Sequence, residues 1–147
     1  MIVLGTRDDL TRVIPMLKLF QEEFSPWEGF SEKTIRNSFD TLVFNSPIPG
    51  ILLIWEEYQK PVGLLVGVAA SSLFCSQVNT QELVFFILPE FRKSNIAGSL
   101  LKAYEYWSKN VVKSDFCMVA CMDERVGKLY ERKGFEKKEI FYMKRMK

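Results

Sequence analysis

The sequence predicts one α/β domain, residues 1–147, built on a mixed sheet, and three observations carry that reading. Strand-like and helix-like segments follow one another in the order βααββ and then βαβαβ. Two apolar strand segments, 82–88 and 116–122, are separated by a single helical repeat, a spacing that calls for a parallel pair joined by a crossover helix. The 147 residues are 48% hydrophobic and 14% aromatic, enough for one sizeable core and too apolar for disorder.

Each element has its own signal. Residues 2–4 read as a first strand. Thr6 or Asp8 can cap the helix that follows, on which Leu10, Val13, Ile14, Leu17, Phe20 and Phe24 recur at helical spacing. Pro15 removes a backbone donor inside that run, so a kink or a later start is expected. Pro26 and Gly29 make 24–30 a loop, and Ser31 caps a second helix that carries Ile35, Phe39, Leu42 and Val43 inward. Residues 51–56 and 61–70 form a hairpin around Glu57-Tyr-Gln-Lys60, and a polar loop containing Phe74 fills 71–80. The strand 82–88 stops at Pro89. A helix over 95–110 presents Ile96, Leu100, Ala103, Tyr104 and Trp107 on one stripe. Residues 116–122 are apolar throughout, which predicts a strand buried on both faces with Cys117 and Cys121 on one side as small hydrophobes. A helix over 124–133 is closed by Gly134, and 135–146 alternates like a last strand.

Composition excludes several chemistries. The chain has no histidine, so Ser-His-Asp and Cys-His systems and histidine metal sites are ruled out, and acid–base work falls to Glu, Asp, Lys, Tyr or Cys. The three cysteines lack metal-ligand spacing; neither a disulfide framework nor a metal site is expected. With no signal segment and no apolar run of the ~20 residues that span a bilayer, a cytoplasmic location without membrane contact is expected. The net charge of +2 hides a split. Residues 1–89 hold 6 basic and 10 acidic side chains; residues 90–147 hold 14 and 8. That asymmetry suits an anionic ligand on the second half and a cationic one on the first, although differing solvated faces explain the count equally well.

The most informative stretch runs from Phe86 to Leu101. A strand ends, the basic pair Arg92-Lys93 follows, and small residues open a helix. Unbonded N–H groups and the positive end of the helix dipole suit phosphate oxygens there. An ordinary strand–turn–helix with surface cations reads the same segment equally well.

Arg92-Lys-Ser-Asn95-Ile-Ala97 resembles the acetyl-CoA-binding signature of the GNAT N-acetyltransferase superfamily, Arg/Gln-x-x-Gly-x-Gly/Ala. Leu129-Tyr-Glu-Arg-Lys-Gly-Phe135 is similar to its second signature. Phe74, Gln81-Glu-Leu83 and Tyr142-x-Lys-Arg145 fit one branch of the family, and length and element order match over the whole chain. The resemblance implies a mostly antiparallel mixed sheet with one central parallel pair splayed for CoA, flanked by about four helices. It implies acetyl transfer from acetyl-CoA to a primary amine by direct attack in a ternary complex, without a metal. Phe86, Ile87, Leu88, Arg92, Lys93, Ser94, Asn95, Ile96, Ala97, Gly98, Ser99 and Asp123 are the implied cofactor positions. Asn95 and Lys93 stand where glycines are frequent, and a position needing positive φ would strain Asn95. Asp123 stands where the family often has asparagine.

The same resemblance makes Glu82 the candidate base, acting through water, and Tyr130 the candidate acid toward the departing sulfur. An N–H near Ile87–Leu88 becomes the oxyanion donor. The acceptor is expected along the loop after the first helix, where Glu23, Trp27 and Phe30 join Glu22, Glu28 and Glu32 in an acidic, aromatic rim for a small-molecule or protein amine. The alternative is a catalytically weak GNAT-like binding module. Nucleic acid is not expected as a partner, because the total charge is nearly balanced; a homodimer is left open.

Overall fold

The computed structural model describes residues 1–147. Strand β1 (Ile2–Leu4) is followed by helices α1 (Leu10–Phe24) and α2 (Glu32–Phe39), then strands β2 (Ile51–Glu57), β3 (Lys60–Ser71) and β4 (Val78–Ile87). Helix α3 (Ile96–Tyr106), strand β5 (Phe116–Met118) and helix α4 (Glu124–Arg132) complete the order. The five strands lie in sequence order in one sheet, antiparallel except for the β4–β5 pair.

Alternation along the central strands sets the layers. Leu52, Ile54, Leu64, Val66 and Phe86 face Leu10, Val13, Ile14 and Leu17 of α1, while Ile51, Leu53, Leu65 and Ile87 face Ile96, Leu100, Leu101 and Tyr104 of α3. Two buried clusters thus sandwich the sheet. Gly67 lets the second one close: a Cβ there would stand 2.8 Å from the Tyr104 ring. Tyr104 in turn donates from its hydroxyl to Met118 O at 2.8 Å, tying β5 to the sheet.

Local signals hold at several termini. Thr6, not Asp8, caps the entry to α1: its N–H donates to Asp9 Oδ2 at 2.7 Å across the short turn Arg7–Asp9. Helix α1 starts at Leu10, before Pro15, and continues through it to Phe24, which corrects the expected late start. Buried side chains on both sides of the proline supply the packing that offsets the missing hydrogen bond. Ser31 Oγ accepts from Thr34 N at the start of α2, and Gly134 takes φ +90 after α4.

Three expectations are corrected. Strand β4 begins at Val78, inside the stretch read as loop, because Ala70, Ala69 and Val68 of β3 pair with Asn79, Thr80 and Gln81. Strand β5 ends at Met118 and lies at the sheet edge; Phe116 is 59% and Met118 43% exposed, so it is not buried on both faces, and Cys121 lies beyond the strand and is exposed. Residues 135–147 form no strand, and Ile140 to Met143 are exposed. Alternation alone does not order a strand without an edge to pair with, and β5 offers only three residues.

The start of β4 is pinned. Thr80 Oγ1 and Ser108 Oγ share a buried hydrogen bond, Ser108 bonds Ser114, and Val78 N donates to Asp115 Oδ2. The β2–β3 turn is strained instead: Tyr58 and Gln59 hold φ of 49 and 63 without a glycine, a left-handed conformation costing roughly 1 kcal/mol or more per residue. Gln59→Gly should therefore raise stability by about 0.5–1 kcal/mol, moving Tm up by roughly 2 °C. A calorimetric scan with an unchanged or lowered midpoint would show that the turn carries no such strain.

Candidate functional site

The ladder between β4 and β5 covers only Asn79–Gln81 against Phe116–Met118. Immediately after it β4 bulges: Gly67 pairs with Glu82 and Val66 with Val84, leaving Leu83 without a partner. The two strands then separate, and side chains replace the missing ladder. Glu82 Oε2 accepts from Ala120 N at 3.1 Å, and Tyr130 Oη donates to Ala120 O at 3.1 Å. The candidate base and acid therefore meet on one peptide segment inside the opening.

Both groups are shifted by their surroundings. Burial pushes the Glu82 carboxyl up to about 7, opposed by the Ala120 N–H that stabilises its charge. Burial, reinforced by the nearby Glu82 charge, drives the Tyr130 phenol far above its usual value, so it keeps its proton at neutral pH. The Phe85 and Phe135 rings pack beside Tyr130 with centroids 6.5 and 5.8 Å away.

The turn after β4 leaves part of its backbone without partners. The N–H groups of Lys93, Asn95, Ala97 and Gly98 find no acceptor within the protein, whereas Arg92 N, Ser94 N and Ser99 N are bonded to Pro89, Phe91 and Asn95 carbonyls. Ser94 Oγ donates to Phe91 O and accepts from Ile96 N; Ser99 Oγ donates to Asn95 O. Space above Gly98 is open, with nothing within 4 Å of where a Cβ would sit. Asn95 takes φ −82, so the expected backbone strain at this position is absent; a glycine's freedom is not needed.

Other positions stand apart from the opening. Phe86 points into the core below α1, beside Phe20 and Phe24, and Ile96 is buried against α3's own cluster. Leu88 N is taken by Val62 O at 2.9 Å, so it is no free oxyanion donor. By the alternation of an antiparallel ladder, that bond turns the N–H groups of Phe85 and Ile87 away from β3 and toward the opening. Asp123 caps α4 through Arg125 N and pairs with the Arg125 side chain, which offsets its charge. Arg92 is engaged: Nη1 and Nη2 reach Glu23 at 2.8 and 2.6 Å, and Nε reaches Ile87 O at 2.8 Å. Trp27 is 42% exposed, while Phe30 packs against the α1 cluster; Gln21 Nε2 holds the loop on both sides of Trp27 through Ser25 O and Glu28 O.

Sequence reasoning missed a cavity of about 380 Å³ at the pinned end of β4. Val68, Phe74, Asn79, Gln81 and Met118 are among its walls, and the buried Asn79 Oδ1 has no hydrogen-bond partner. Only the Phe74 and Gln81 signals in the sequence pointed this way, because the cavity arises from the β3–β4 pairing rather than from a contiguous motif.

No protein-family model matches the chain. An aminoglycoside N(6')-acetyltransferase type 1 from Acinetobacter baumannii is 32% identical over 100 residues, 64% of this chain and 68% of the relative. The chain belongs to the GNAT superfamily of N-acetyltransferases. Solved structures agree on the GNAT fold. An aminoglycoside acetyltransferase from an uncultured soil metagenomic sample superposes with TM-score 0.79 at 13% identity, covering 100% of this chain and 96% of the other. AAC(6')-Iy, in complex with the bisubstrate analogue CoA-S-monomethyl-acetylneamine, gives 0.75 at 17% identity over 99% and 97%. A ribosomal-protein-alanine N-acetyltransferase from Brucella melitensis biovar Abortus 2308 gives 0.74 at 14% over 99% of each chain. This acetyltransferase has no helix long and apolar enough to cross a membrane.

The shifted Glu82 carboxyl makes the stability of the acetyltransferase pH-dependent. The unfolded carboxyl releases its proton near 4.5 and the folded one near 7, so the folded chain holds the extra proton between those values and loses stability as pH rises through them. The loss is on the order of 3 kcal/mol once the group is ionised. Glu82→Gln should thus gain stability over the parent on going from pH 5 to pH 8 in urea unfolding. A constant difference between the two would place the Glu82 pKa in its ordinary range.

Proposed function

We propose that this acetyltransferase moves an acetyl group from acetyl-CoA to a primary amine by direct attack in a ternary complex. The observation that carries the reading is the opening between β4 and β5, with Glu82 and Tyr130 both bonded to Ala120 inside it. Acetyl-CoA supplies an acetyl group activated as a thioester. The residues present suit it. The free N–H groups of Lys93, Asn95, Ala97 and Gly98, the Lys93 ammonium and the dipole of α3 would hold the phosphates, and the Phe85 and Ile87 N–H groups would line the arm.

Glu82 works at Oε1, the oxygen that Ala120 leaves free, taking a proton from the incoming ammonium through water. Its pKa of about 7 suits that task, since it is half ionised at neutral pH and strong enough to accept a proton. Tyr130 holds its proton at Oη and can deliver it at the departing sulfur. The Ile87 N–H stabilises negative charge as it forms on the carbonyl oxygen. The acceptor we favour is an aminoglycoside amine, because the 32% identical relative is named for that substrate. The exposed carboxylates of Glu22 and Glu28 with the Trp27 ring would meet its ammonium groups, while Glu32 is already paired with Arg36. In this setting the three free cysteines accord with a reducing cytoplasm.

Thiol release from acetyl-CoA, measured with an aminoglycoside, a polyamine and a peptide amine, should be fastest with the aminoglycoside. A flat thermal-shift response to CoA together with no thiol release would leave only a binding module. Tyr130→Phe should lower kcat by about tenfold to a hundredfold while the CoA Kd stays within twofold; an unchanged kcat would remove Tyr130 from proton transfer. The parent's kcat/KM should rise with pH through an apparent pKa near 7, and Glu82→Gln should abolish that rise. A retained rise in the variant would assign the base to another group.

A further inference from the structure

Resting on the acetyl-CoA reading above, we infer that Glu23 and Arg92 form a clamp that holds the phosphate turn in shape, making both of them positioning residues rather than phosphate ligands. The guanidinium fork that would grip a phosphate already grips the Glu23 carboxylate, one nitrogen to each oxygen at 2.8 and 2.6 Å. A third donor of the same group, Nε, holds Ile87 O at 2.8 Å. One face of the group lies over the Phe86 ring, 5.3 Å from the centroid, and Phe86 is in turn wedged against Phe20 and Phe24.

These contacts join elements that are distant in sequence. Glu23 belongs to the last turn of α1, Ile87 ends β4, and Arg92 opens the turn. Downstream, Ile96 is sunk in the α3 cluster at 2% exposure. The segment between, 93–95, is exposed and carries two of the unbonded N–H groups. An anion cradle of free N–H groups works only if they converge before the anion arrives. Here the cradle is anchored at two points, by the ion pair just before Lys93 and by Ile96 in the core between Asn95 and Ala97. The pair also links the cofactor turn to the rim that leads to Trp27, so both substrates would meet a common support.

The two roles for Arg92 make opposite forecasts. If Glu23 merely masks a phosphate ligand, removing its charge frees Arg92 and tightens CoA binding. If the pair is a clamp, Glu23→Gln loosens the turn and weakens CoA binding by about fivefold, and Arg92→Lys, which keeps the charge and loses the fork, does the same. In the double-mutant cycle, Glu23→Gln should add nothing to Arg92→Gln. Calorimetric titration with CoA reads these constants. Amide exchange without ligand gives an independent readout: the bonded N–H groups of Arg92, Ser94 and Ser99 should exchange about fivefold faster in Glu23→Gln, in a protein whose other amides are unaffected. Tighter or equal CoA binding in Glu23→Gln, parent-like binding in Arg92→Lys, or unchanged exchange would overturn the clamp. Failure of the parent to bind CoA would defeat the acetyl-CoA reading, while the exchange experiment would still decide the clamp.

Discussion

The structure depends on a ladder that stops early. Three residues of β4 pair with three of β5, and then Leu83 bulges and the strands part. An unpaired stretch of backbone inside a protein must find other partners. Ala120 finds them in the Glu82 carboxylate and the Tyr130 hydroxyl, so the device that repairs the sheet is also the pair of groups proposed above for proton transfer. Everything around it follows from keeping that opening in place. Tyr104 holds Met118, Gly67 makes room for Tyr104, and α3 and α4 wall the opening on one face.

Much of this frame is legible in the chain, and the division between legible and hidden is physical. Helix starts and stops are local, so the Ser31 cap and the Gly134 stop could be read from a few neighbouring residues. The second signature, 129–135, could be read because a helix and its terminal glycine impose fixed spacing. Residues 71–80 hid the start of β4, since polar side chains such as Asn79 and Thr80 say nothing of the partner strand that orders them. The apolar run 116–122 misled in the other direction: Phe116 and Met118 are apolar yet lie on an edge. For the site, Glu82 and Tyr130 were named from a likeness, but their meeting on Ala120 is a long-range fact. So is the Arg92–Glu23 pair, whose members are 69 positions apart.

That pair also changes the meaning of the charge split along the chain. The basic half does not simply present cations to an anion. Arg92 is spent on an acidic partner from the other half, and Asp123 is offset by its neighbour Arg125. In the acetyl-CoA reading proposed above, what is left for phosphate is mainly Lys93 and uncharged backbone. Peptide N–H groups fixed in direction recognise an oxyanion with less dependence on salt than mobile surface cations do.

The pinned start of β4 has a consequence for the width of the opening. Thr80, Ser108 and Ser114 form a line of shared hydroxyl bonds, and Asp115 fastens Val78 at the same end. The two strands therefore behave like the arms of a pair of tweezers, welded at one tip and spread at the other. How far they spread is set by this weld together with the Glu82 and Tyr130 bonds to Ala120. In the acetyl-CoA reading proposed above, the width left for the cofactor's arm then depends on these small hydroxyl side chains as well as on the residues that face it.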